Sequence, residues 1–201
     1  MTTRKASYRS LTSLQRDNRF CRTCAEAGHP IESRPVFEGH EGQRAYLFGL
    51  APGIREGEEG RPWRGRAGQA LRRWLEMDEA RFYNTFYLAA VTRCYPGKPA
   101  SGRGDRTTTP EERKLCAFWQ EWEIRLLRPK LLLPVGGVAI KCLLGLNSLT
   151  CVGERIELDG AVAIPLPHPS GASGWLNDSR NRARLERSLA FLRDALRDLH
   201  R

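Results

Sequence analysis

The chain has 201 residues, 40% of them hydrophobic, and a formal net charge of +10. It is long enough for one domain with a substantial core and too apolar for a disordered chain. It also lacks the unbroken apolar run of roughly 18 residues that a bilayer span needs. Arg supplies most of the charge, and its planar fork can grip two phosphate oxygens at once. The basic balance therefore points to a polyanion such as nucleic acid, a surface kept basic for solubility being the bland alternative. The opening MTTRKASYRS is basic, but no apolar stretch follows it. No secretory signal and no membrane partner are expected, and the expected address is cytoplasmic.

In chain order, residues 1–20 read as a short basic helix or arm. Residues 45–50 (AYLFGL) form a short apolar run that predicts a buried strand. A turn-rich loop covers 51–65, and 67–76 has helical spacing with Ala70, Leu71, Trp74 and Leu75 on one face. The aromatic run 82–91 predicts a second strand, and 98–109 a long exposed loop. Thr109, Pro110 and two glutamates make a strong helix start, predicting a helix to Leu127. Residues 131–135 predict a third strand and 138–144 a short helix. Residues 154–158 and 161–166 flank a D-G turn, as a hairpin whose second strand can join the main sheet. A last helix from about Asn177 puts Leu185, Leu189, Leu192, Leu196 and Leu199 in one stripe. Strands alternating with helices predict one α/β domain over 1–201, a three-layer α/β/α with a central, mostly parallel sheet.

In such sheets, chemistry gathers in loops at the carboxyl ends of strands, and two loops stand there. The first, from Gly49, places Leu50, Ala51, Pro52, Gly53 and Trp63 ahead of a helix N-terminus that begins near Arg66. Backbone amides there can hold an anion, and Trp63 can stack on a base. An ordinary turn-rich loop with Trp63 in the core fits the residues equally well. The second loop carries His168, Ser170 and Gly171, then Trp175 and Leu176. His168 can donate to a reacting group, Ser170 and nearby amides can grip phosphate, and Trp175 and Leu176 can wedge into a base stack. The competing reading is a rigid turn whose Trp and Leu anchor the last helix. Six cysteines in an intracellular chain favour metal or redox chemistry over disulfides. Cys142, among Leu and Ile, is expected in the core.

Together the motifs are specific. GLAPGIREGEEGRPWRGRAG, residues 49–68, resembles the first motif of the iron–sulfur uracil-DNA glycosylases of families 4 and 5. HPSG, residues 168–171, resembles the second motif of that superfamily. The resemblance spans roughly residues 20–199. It implies a monofunctional glycosylase, acting as a monomer on DNA that contains deaminated bases. It also implies that Cys21, Cys24, Cys94 and Cys116 ligate a [4Fe-4S] cluster; a Cys₄ zinc site is the alternative. Trp63 would stack an extruded base, and His168 with loop amides would stabilise the departing anion.

Two positions depart from the family pattern. Leu50 stands where family 4 has an acid that positions water, although family 5 is also apolar there. Ala90 stands where the family carries an Asn that reads the uracil edge. Losing that amide predicts weaker discrimination and a base range broader than uracil. The loop acids Glu56, Glu58 and Glu59 are read as solvated charges. Two other functions stay open on these residues: a non-catalytic iron–sulfur protein that binds lesion or abasic DNA, and a zinc-bound structural partner in a repair complex.

Overall fold

The computed structural model describes residues 4–146, 148–158, 160–170 and 174–199. The N-terminal segment folds as α1 (Leu11–Arg19), capped by the Ser10 side chain, and the short α2 (Thr23–Glu26). There follow β1 (Ala45–Gly49), α3 (Ile54–Glu59), α4 (Arg66–Trp74), α5 (Glu79–Thr85) and β2 (Phe86–Ala90). The second half comprises α6 (Pro110–Leu127), β3 (Leu131–Pro134), α7 (Gly137–Leu144), β4 (Ile156–Leu158), β5 (Ala161–Ala163) and α8 (Ser179–Asp198). Among the described residues no helix is long and apolar enough to cross a membrane.

The sheet order is β2-β1-β3-β5-β4, with every pairing parallel except the β4–β5 hairpin. β1, β2 and β3 are buried along their whole length, as strands covered on both faces must be. Their side chains alternate between two cores. Ala45, Leu47, Phe86, Leu88, Leu131 and Leu133 pack with Leu71 of α4, Phe82 of α5 and the Leu185–Leu196 stripe of α8. Tyr46, Phe48, Tyr87 and Leu132 face the other way, against Leu11 and Leu14 of α1, Trp119 of α6 and Ala139 of α7. The expected three layers are therefore present, with β1 between β2 and β3 in the sheet. The chain leaves β1 for β2 on one side and later returns to place β3 on the other. Such a switch point opens a crevice at the strand ends.

α6 has the bounds read from the sequence because Thr109 and Glu112 close a reciprocal capping box and Pro110 opens the first turn. The predicted strand over 82–91 is corrected. Residues 82–85 end α5, whose start is fixed by Asp78 accepting from the Arg81 N–H at 2.7 Å. A fully buried aromatic run has no periodicity that separates the two conformations. The 51–65 loop contains α3, which has no side-chain cap. The second hairpin strand does join the main sheet beside β3; Asp159 of its turn lies outside the described residues. Cys142 is exposed rather than core, on the outward side of a short helix whose buried residues are Ala139 and Ile140.

Candidate active site

A cleft of about 580 Å³ opens at the carboxyl ends of β1 and β2, within the size range of small-ligand pockets. It is lined by Gly49, Leu50, Ala51, Pro52, Gly53, Trp63, Arg66, Ala90, His168 and Ser170, which come from three separate stretches of chain. These are ten of the residues singled out in the sequence. Two carboxylates also line it: Glu56, expected from the sequence to be a solvated charge, and Asp105, which belongs to neither motif. No Asn or Gln is among the lining residues described.

Trp63 forms one wall, and glycine makes that possible. A Cβ on Gly49 would meet the Trp63 ring at 3.0 Å, and one on Gly68 would lie 1.8 Å from the Trp63 carbonyl oxygen. Trp63 itself has φ 59, a left-handed backbone that bulky residues rarely adopt. Three bonds hold it there. Tyr83 donates its hydroxyl to the Pro62 carbonyl at 2.5 Å, Arg72 donates to the Trp63 carbonyl at 3.0 Å, and the Gly65 N–H donates to Glu56 Oε1 at 2.7 Å. Arg61 bridges Glu38 and Glu79 and lies 3.7 Å over the Tyr83 ring, while Arg64 bridges Glu59 and Glu79. Glu59 is thus a loop staple, not an isolated solvated charge. Arg66 is exposed at the first turn of α4, where its guanidinium and the helix amides share the cleft edge.

His168 enters from the other side of β1. The bridge Val135↔Leu166 extends the β3–β5 pairing, and the Gly136 N–H donates to the Leu166 carbonyl at 2.9 Å. Gly136, at φ 92, turns directly against the imidazole, 3.5 Å from the His168 Cβ to where its own Cβ would lie. The Ser170 N–H donates to His168 Nδ1 at 3.3 Å, and the Ser170 hydroxyl lies 2.8 Å from the same atom. An Nδ1 that accepts leaves the ring proton on Nε2, as a donor for a ligand. Desolvation holds the His168 pKa below 6.5, so the ring is neutral at pH 7. Trp175 and Leu176 do not line the cleft; both pack partly against the core next to α8. Gly171 lies outside the described residues.

Beyond Ala90, the exit of β2 leads into a second site. Cys21, Cys24, Cys94 and Cys116 line one small cavity with Arg4, Asn18 and Arg93. Around them the Trp119 indole donates to Cys21 Sγ and the Arg93 N–H to Cys116 Sγ, both at 3.3 Å. Burial pushes the Cys24 thiol up to about 12, with Cys116 and Cys21 pushing the same way. Burial also raises the Cys94 thiol, again reinforced by its cysteine neighbours. Gathered thiolates of this kind repel one another unless a cationic centre lies between them. Arg93 is buried and paired to Glu123 at 2.5 Å, yet its Nε and Nη1 have no partner among the described residues. Those donors suit an anionic thiolate-ligated cluster. Among the described residues no three His, Cys, Asp or Glu side chains converge on a single-ion position.

The amino-acid sequence also matches known proteins. The profile of the uracil DNA glycosylase superfamily matches residues 37–200. The chain belongs to that superfamily. It is 32% identical to a Type-4 uracil-DNA glycosylase of Thermotoga maritima over 139 residues, 67% of this chain and 69% of that protein. It is 35% identical to a Type-5 uracil-DNA glycosylase of Thermus thermophilus over 133 residues, 58% of this chain and 57% of that one. A Type-4 uracil-DNA glycosylase of Pyrobaculum aerophilum is 31% identical over 125 residues, covering 62% of this chain and 58% of the relative. The chain thus spans between 57% and 69% of the length of these relatives.

Proposed function

We propose that this superfamily member is a monofunctional DNA glycosylase that extrudes uracil, or a related deaminated base, and hydrolyses its N-glycosidic bond. The observation that carries the reading is the cleft itself, where a neutral His168 with its proton on Nε2 faces a wall made by Trp63. The base stacks on Trp63; as the bond to the sugar breaks, its electron pair stays with the base, and the developing anion accepts from His168 and loop amides. A neutral imidazole with its proton on Nε2 donates from that atom while Nδ1 accepts from Ser170.

Arg66, Ser170, Trp175 and Leu176 are proposed to hold the DNA strand, Arg66 at a phosphate. The lack of an amide side chain among the described lining residues supports a base range wider than uracil. Cys21, Cys24, Cys94 and Cys116 are proposed to hold a [4Fe-4S] cluster. When bound it supplies structure, tying the N-terminal helices to the exit of β2 and to α6, since base excision transfers no electrons. The protein is proposed to act as a monomer.

The test is a panel of oligonucleotides, each carrying one uracil, hypoxanthine or xanthine, incubated with iron-loaded protein. Release of free base, leaving an alkali-labile site, is expected with uracil and with at least one other base. Tight, salt-sensitive binding without release from any member would make the protein a lesion binder instead.

A further inference from the structure

The cleft contains a donor for the leaving base, but Leu50 provides nothing to hold the attacking water. We propose that Asp105 is the carboxylate that orients and deprotonates this water; this rests on the glycosylase reading above.

Two carboxylates reach the cleft among the described residues, and they are differently committed. Glu56 accepts the Gly65 N–H at 2.7 Å through Oε1, and so closes the loop that carries Trp63. Asp105 has no salt-bridge partner among the described residues. Its Oδ2 lies 3.2 Å from where a Cβ on Gly53 would sit, leaning onto the first motif loop. Its segment is otherwise Gly-rich, with Gly102 and Gly104 at φ 68 and 71. The next residue anchors it: the Arg106 N–H donates to the Gly97 carbonyl at 2.8 Å, its Nε donates to the Pro96 carbonyl at 3.0 Å, and its guanidinium pairs with Glu112 at 2.6 Å. The carboxylate is therefore presented at a fixed place on an exposed loop.

Strand order supplies the direction. Asp105 follows β2 and His168 follows β5, on opposite sides of β1 in the sheet. Hydrolysis at the anomeric carbon needs that separation, because water enters on the face opposite the departing base. The water oxygen bonds to C1′ as the C1′–N bond breaks, and the bond pair leaves with the base. Asp105 takes the proton that water gives up, and the released anion is later protonated by solvent.

Single-turnover release from uracil DNA at saturating protein, with DNA affinity measured on the same samples, tests the assignment in Asp105→Asn. Glu56 remains in place as the other carboxylate of the cleft. Asp105→Asn is expected to slow release roughly 10²-fold or more, with DNA affinity unchanged. Asp105→Asn with wild-type rate, or with rate and DNA affinity falling together, overturns the assignment while leaving the glycosylase reading intact. A wild-type protein that releases no base overturns both.

Discussion

Around the four cysteines, polar groups are buried and held by one another; around the cleft, they stand at the solvent edge and are held from behind. Glu123 accepts from Arg93, Tyr46 and Tyr87 inside one core, next to a cavity ringed by thiols. His168 and Asp105, by contrast, are exposed, and their orientation comes from neighbours: Ser170 and Gly136 for one, Arg106 for the other. The two regions share a strand exit, since Ala90 lines the cleft and Cys94 the cysteine cavity. One region fixes where the chain runs, and the other uses that chain to present donors. Substitutions in the first should therefore act on stability, and in the second on rate.

The largest expected breach of that division is Glu123→Ala, which leaves Arg93 buried and unpaired. Urea unfolding should show a loss of about 3–5 kcal/mol. Bound iron should fall in proportion, and unchanged stability would mean that the buried pair is not a support. Gly68→Ala comes next, because the added Cβ would lie 1.8 Å from the Trp63 carbonyl oxygen. It is expected to cost about 1–3 kcal/mol and to lower base release by displacing Trp63, a case in which packing and rate move together. The pH dependence is smaller. His168 has a pKa lowered by desolvation, so it becomes protonated only below pH 6.5. Protonation occupies Nδ1 and ends its acceptance from Ser170; a loss of rate tied to His168 should appear only on that acid side and vanish from His168→Ala. Arg66→Ala is the mildest: affinity should fall evenly across sequences, with the salt slope reduced by about 0.9.

The parts of the molecule that could be read in advance are those with local chemistry of their own. α6 announces both its start and its polarity through Thr109, Pro110 and Glu112, and β1 is a lone apolar run between turns. α3 has no such signal: Gly53 offers no capping side chain and Gly57 sits inside the helix. Residues 82–85 were hidden in an aromatic run that continues unbroken into β2. In the cleft, Gly49, Trp63 and His168 belong to contiguous motifs, whereas Asp105 is the sole acid in a Gly-, Arg- and Thr-rich segment far from either. Only the folding of that segment against Gly53 gives it a role. Cys142 looked like core because its neighbours are apolar, but an eight-residue helix can bury only one stripe.

The central claim is that a fixed scaffold presents His168 to a departing base. The most direct measurement is the single-turnover rate of uracil release by iron-loaded wild-type protein and His168→Ala, with unfolding midpoint and DNA affinity determined on the same samples. The account predicts release by the wild type and a fall of roughly 10²–10³-fold in the variant, with midpoint and affinity unchanged. Equal rates in the two proteins would contradict it.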